Sequence, residues 1–313
     1  MDKESLLLVK SIIEANQQEN PFKDYLFPVA ISFFSAIMGG FIAMRINNKQ
    51  EVNKSEKEKF NNSMRLMFLV IESLNNLVTI KANYRHIDTG NPYLRFWEFP
   101  EILFKASRLT MDLSDFSFIK EVQTCNFSRH EKIKRFIIYR VFRKEVKKPS
   151  KLELGKSWRN LSRLSAMISN YNTIIYQIDK RNVMDDEARK KAHDYIKNKQ
   201  STNSISFEAV LQSCLSDKEI LQLIDLTELT ISLVDHVIRE MDSFVRAFPD
   251  IAESNIDTSK LMSGKNVIRY NNDRQVYTDT LIKTIEPDFQ LLSSMFGDDL
   301  ESIKKRYTLV EWY

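Results

Sequence analysis

Four histidines and two cysteines hold most of the chain's capacity for nucleophilic or metal chemistry. His86, His130, His193 and His236 are scattered, and no His-Glu-x-x-His sets two imidazoles on one helical face to hold zinc. Cys125 and Cys214 lie far apart with no ligand spacing around either, so they read as reduced, buried thiols. Six glycines cannot assemble a phosphate-cradling loop, and no serine-centred elbow occurs. Asp235-His236 stands beside an apolar stripe, where a satisfied surface or boundary histidine is expected rather than a base. Asp185, Asp186 and Glu187 have the charge to hold a cation, but an acidic cluster at a helix start explains them more simply. The expectation is a protein with no catalytic residue, no metal and no cofactor, one that is not an enzyme.

Arg189-x3-His193 resembles the Arg-x4-6-His motif of helical nucleases of the HEPN type, one residue too short. The surrounding "DDEARKKAHDY" reads instead as an exposed helix with opposite charges four residues apart.

The strongest charge cluster is "RHEKIKRFIIYRVFRKEVKKPSK", residues 129–151, with ten Lys or Arg against two acids. Lys132, Lys134, Arg135, Arg140, Arg143, Lys144, Lys147 and Lys148 are set among Phe136, Tyr139 and Phe142. Such a stretch suits nucleic-acid phosphates, with aromatics free to stack on bases. It equally suits an anionic lipid leaflet or a protein partner. The commonest use of a charge run is a solvated face of a structural element. "RFIIYRVF" is also rich in strand formers, so pattern alone leaves the local structure open.

The element that must position everything else is near the N-terminus. "YLFPVAISFFSAIMGGFIAM", Tyr25 to Met44, is twenty residues without a charge. As a helix it rises about 30 Å, the thickness of a bilayer's hydrocarbon core. It is longer than the apolar region of a cleavable signal and lies further from the start, so a retained membrane anchor is expected. Pro28 falls in the first turn, where proline is tolerated. Residues 1–24 carry Lys3, Lys10 and Lys23 against five acids, while residues 45–59 carry Arg45, Lys49, Lys54, Lys57 and Lys59 against three. Positive charge collects after the span, which places the N-terminus outside and the C-terminal part in the cytoplasm. Ser35, Gly39 and Ala43 recur every four residues, as do Ala36 and Gly40. Small residues on one face let helix backbones approach, which predicts self-association of anchors into a homo-oligomer. Glycine and alanine are also simply common in membrane helices. "SLLLVKSIIEA", residues 5–15, is amphipathic and too short to span. It suits the membrane interface, a partner, or the protein's own head.

Beyond the anchor, glycine and proline are scarce, which favours helices over β or Rossmann folds. The net charge of +4 is mild. Apolar residues recur at steps of three and four in Phe60, Met64, Met67, Ile71, Leu74, Val78. They do so again from Leu154 through Trp158, Leu161, Leu164, Ile168, Tyr171 and Ile175 to Ile178. The longest run goes from Ile220 through Thr227 and Val234 to Phe248, opened by a Ser216…Glu219 capping box and ended at Pro249. A short helix is expected from Asp298 towards Tyr307. Residues 88–100 read as an aromatic loop, 197–206 as a polar connection, and 262–276 as a loop with a short strand. The fold class is therefore mainly all-α: a short segment 1–24, a transmembrane helix 25–44, a juxtamembrane helix 45–86 and a cytoplasmic helical domain 87–313 with long amphipathic helices.

This layout resembles the membrane effectors of retrons, found with bacterial anti-phage defence. The resemblance rests on "FPVAISFFSAIMGGFIAMRINNKQE", residues 27–51, and the periodic helix after it. It implies a helical inner-membrane protein held silent by a cytoplasmic protein or nucleoprotein, which compromises the membrane when released. Such effectors often have two spans; one span here would require oligomerisation through Ser35, Gly39 and Ala43. The alternative expectation is a membrane-tethered module that recruits nucleic acid or a nucleoprotein through residues 129–151.

Overall fold

The computed structural model describes residues 3–16, 26–103, 106–120, 150–198, 207–261 and 266–309. Among these there are ten α-helices and two short 3-10 turns, and no strand. The chain divides into two compact units, Met1–Glu56 and Lys57–Tyr313.

The first unit holds α1 (Lys3–Asn16) and the start of α2 (Phe27–Tyr84). The expected anchor and juxtamembrane helices are one uninterrupted element, because no glycine pair, proline or cap interrupts residues 41–84. Ser32 Oγ donates to the Pro28 carbonyl at 2.8 Å, one of the carbonyls of that first turn.

In the second unit, the end of α2 buries Met67, Val70, Leu74, Leu77, Lys81 and Tyr84, stepping by three and four. The face is turned slightly from the expected stripe. Met64, Ile71 and Val78 pack at its margin, only partly buried. A helix wrapped by several elements buries more than one line of residues, so a single apolar stripe underdetermines its centre.

The two longest remaining helices are α5 (Leu161–Asn198) and α7 (Asp217–Asn255), preceded by the short α4 (Lys151–Lys156) and α6 (Phe207–Cys214). They run antiparallel: Arg163 meets Glu240, Arg181 meets Thr227 and Lys191 meets Glu219. The apolar stripe from Leu154 to Ile178 is broken between α4 and α5. Ser157 ends α4 and Asn160 accepts from the Ser162 backbone to start α5. Trp158 at the break is buried, with its indole donating to Ser243 at 3.0 Å and its ring edge-on to Phe244. α5 also continues well past the stripe to Asn198, so Asp185, Asp186 and Glu187 lie inside it and not at a helix start.

The Ser216…Glu219 capping box is formed, and α7 opens where expected. It does not stop at Pro249 but continues to Asn255. An interior proline costs about 3 kcal/mol. Burial of Ala252 and Ile256 beyond it, and the bond from the Val267 backbone to Glu253, favour continuing. The expected aromatic loop holds a helix, α3 (Pro92–Glu98), because Asn91 caps the Tyr93 amide and Pro92 fits the first turn. α8 (Gln275–Leu281), α9 (Phe289–Phe296) and α10 (Leu300–Tyr307) complete the unit. α9 ends on Gly297 at φ 70, and α10 is capped by Asp299, not Asp298. Residues 266–274 form no strand.

The ends of α2 and α7, together with the first half of α5, share one apolar cluster. A second gathers the start of α7 with α3, α6, α9 and α10. Phe248 lies at the first cluster's centre, fully buried and stacked on Phe244 at 4.7 Å. Phe248→Ala should destabilise by about 3–5 kcal/mol. Val183→Ala, on the exposed face of α5, should stay within about 0.5 kcal/mol. Denaturant unfolding followed by tryptophan fluorescence checks both.

Candidate functional site

Two features stand out, one in each unit. The first is an apolar surface that no described residue covers. From Leu26 to Ile46 the large apolar side chains of α2 are about half exposed or more, from 48% at Ile37 to 71% at Phe41. The segment is long and apolar enough to cross a membrane, and none of its most apolar window is buried. In lipid, its Leu, Ile, Phe and Val residues together favour insertion by about 3–6 kcal/mol before other terms. Ser35, Ala36, Gly39, Gly40 and Ala43 all lie on this uncovered helix. A Cβ built on Gly39 or Gly40 meets nothing within 4 Å. Among the described residues nothing requires positions 39 and 40 to be small.

The second feature is a ladder of acids on α7. Each is met by a different element. Lys81 of α2 pairs with Asp235 at 2.6 Å, both side chains under 5% exposed. Asp235 also accepts from the Thr284 amide at 2.7 Å and its hydroxyl at 3.1 Å, so the carboxylate is engaged on both oxygens. Arg95 of α3 forms a two-pronged pair with Glu228 at 2.7 and 2.9 Å and donates onward to the Thr89 and Ile285 carbonyls. Arg163 of α5 meets Glu240 at 2.8 Å, while lying over the Trp158 ring. Tyr277 of α8 donates to Asp242 at 2.6 Å, and Tyr307 and Arg306 of α10 donate to Asp225. Burial pulls the Lys81 ammonium below its usual value, with Asp235 opposing. Burial likewise pushes the Glu228 carboxyl up against the pull of Arg95. The Tyr277 and Tyr307 phenols are raised by burial and by their carboxylate partners.

No family model, curated protein or solved structure matches this chain. Function is therefore read from the geometry alone.

The ladder's groups are spent on one another, which is the pattern of structural pairing. Asp235 and His236, expected beside the apolar stripe with His236 at the surface or its boundary, are both buried, because α7 is covered on most sides; His236 Nε2 lies 3.7 Å from Glu240. Arg189 donates to Asp185 at 2.6 Å and to the Trp97 carbonyl at 2.7 Å, while His193 is exposed. Arg181 bonds the Phe96 and Phe99 carbonyls and Thr227, and burial pulls its guanidinium down to about 10. His86 is exposed, and Cys214 is half-buried with its thiol pushed up by burial. Among the described residues no group of His, Cys, Asp and Glu is placed to hold a metal. Lys132, Lys134, Arg135, Arg140, Arg143, Lys144, Lys147, Lys148, His130 and Cys125 lie outside the described residues. So do residues 199–206 and the apolar tail from Val310.

The ladder was not singled out from the sequence. A signal was present, since Lys81 falls on the stepping stripe of α2, and Glu228 and Asp235 each follow a stripe residue of α7 directly.

Lys81→Met leaves the Asp235 carboxylate buried without its cation and should cost about 3–5 kcal/mol. Adding Asp235→Leu should restore most of that loss. A double variant no more stable than Lys81→Met in denaturant would show that stranded charge is not the cause. At the mouth of α7, Lys191 and then Ser216 hold the Glu219 carboxyl down to about 2, from 4.5. The folded value is below the unfolded one, so this stabilisation is complete above pH 4.5 and is lost as pH falls towards 2. Glu219→Gln should flatten stability over that window, and added salt should shrink the difference because the pair is exposed.

Proposed function

We propose that the protein is a non-enzymatic membrane effector, anchored by residues 25–44 with the head on the cytoplasmic side. The observation that carries this is the uncharged apolar run of α2, of whose most apolar window nothing is buried among the described residues. A run of that kind is stable in lipid and a liability in water. The excess of cations in residues 45–59 supports a cytoplasmic head. The layout's resemblance to retron-type effectors of anti-phage defence supports reading it as more than a passive tether, in a bacterial inner membrane.

In this mechanism a cytoplasmic protein or nucleoprotein restrains the head. Release lets anchors cluster through Ser35, Gly39 and Ala43, and the clustered spans breach the bilayer. The same helix that carries the small residues ends among the buried side chains of the head, at Lys81 and Tyr84. A change in head packing thus has a covalent route to the anchor. The basic stretch 129–151 supports a second role, recruitment of nucleic acid or a nucleoprotein by a tethered module.

The test is entry of a membrane-impermeant dye after induced expression. Full-length protein should admit dye, and residues 48–313 alone should not. Gly39→Leu with Gly40→Leu should abolish entry at equal expression. Among the described residues a Cβ at either position meets nothing within 4 Å, so a loss at equal expression and equal membrane content reports contacts between anchors. Undiminished entry in the double variant overturns the clustering mechanism. Absence of entry from the intact protein, with nucleic acid co-purifying, favours the second role.

A further inference from the structure

α1 (Lys3–Asn16) is a well-formed helix that the effector reading does not use. At about 100° per residue, Leu6, Leu8, Val9, Ile12 and Ile13 share an apolar arc of about 160°. Lys3, Glu4, Lys10, Ser11 and Glu14 occupy the opposite side together with one apolar residue, Leu7, and Ser5 falls within the apolar arc. The five apolar side chains are 51–62% exposed, so the face is formed and uncovered. We infer that α1 lies flat in the headgroup region of the bilayer at the N-terminal end of the span, burying this face among lipid chains. The inference rests on the reading of residues 25–44 as a membrane span.

Four observations favour lipid over any other cover. First, α1 has 14 residues and rises about 21 Å as a helix, short of the hydrocarbon thickness, and it carries four charges. It can lie on a membrane but not cross one. Second, ten residues, 17–26, separate it from the start of α2. Fully extended they reach about 35 Å, so a bilayer around the span is always within reach. Third, the arc is wider than the narrow seam of a paired coil, and two heptads are too few for a stable one. A second copy is therefore a poor occupant. Fourth, Lys3 and Lys10 are balanced by Glu4 and Glu14, which leaves apolar burial as the driving force. Binding should not require anionic lipid.

The full chain, with Cys125→Ser and Cys214→Ser, is reconstituted in phosphatidylcholine vesicles and labelled with an environment-sensitive fluorophore at single cysteines. The positions are Ile12→Cys and Leu8→Cys on the apolar face, Ser11→Cys opposite, and Ile37→Cys in the span. Lipids bearing a shallow spin label should quench positions 8 and 12 and leave 11 bright, in high salt as in low. Position 37 should be quenched by deeper labels. Quenching at 37 without quenching at 8 and 12 overturns the interfacial helix and leaves the span intact. No quenching at 37 overturns the span, and the interfacial helix with it. A blue shift at 8 and 12 without lipid quenching means that protein covers the face, and equal quenching at 8, 11 and 12 means immersion; either overturns the inference.

Discussion

A carboxylate buried on a helix must be met by a donor, and α7 buries several. Removing an ion from water costs several kcal/mol, and mutual attraction repays this only with good geometry and further hydrogen bonds. Glu228, Asp235 and Glu240, which are buried, and Asp225 and Asp242, which are partly buried, meet that condition by drawing on five different elements. Each element's position is constrained at once: α2 must bring Lys81, α3 Arg95, α5 Arg163, α8 Tyr277 and α10 Tyr307. Apolar packing alone tolerates rotation and sliding of a helix in its groove. A set of paired charges does not, because a shift of one turn would strand several of them. The pairs need add little net stability to select this one arrangement.

This explains which parts of the head are legible in the sequence. The stripe of α7 and its Ser216 cap follow from local rules, and both are present. Pro249 misleads because a local cost near 3 kcal/mol is outweighed by burial at Ala252 and Ile256. The helix at residues 92–98 was hidden by its composition, since "NPYLRFWEF" contains proline and aromatics at loop density. Asn91-Pro92 is nevertheless a good helix start. His236 was expected at the surface or its boundary, because a single stripe leaves its flanks open. That inference fails for a helix covered on most sides, and partners more than a hundred residues away, such as Lys81 and Arg95, cannot be seen in a window of eighteen.

The functional region is legible in the opposite sense. The uncharged run is unmistakable in sequence, and the structure adds that it is helical and bare. A bare apolar run does not by itself say what covers it. The basic stretch is equally plain in sequence, and the residues that compose it lie outside those described.

α2 itself changes character along its length. Its first part has apolar residues on every side, the pattern of an element surrounded by hydrocarbon. Its last part narrows to a stepping stripe that ends in Lys81, the pattern of an element with one face in a protein core. Between them, residues 47–59 are polar and mostly exposed, the pattern of a helix in water. No cap or break marks either change, because backbone hydrogen bonding is satisfied within a helix whatever surrounds it. The side chains alone set the boundaries. The core end belongs to the same continuous helix as the apolar run. The head's acid ladder fixes that core end through Lys81, the one member of the ladder that α2 contributes.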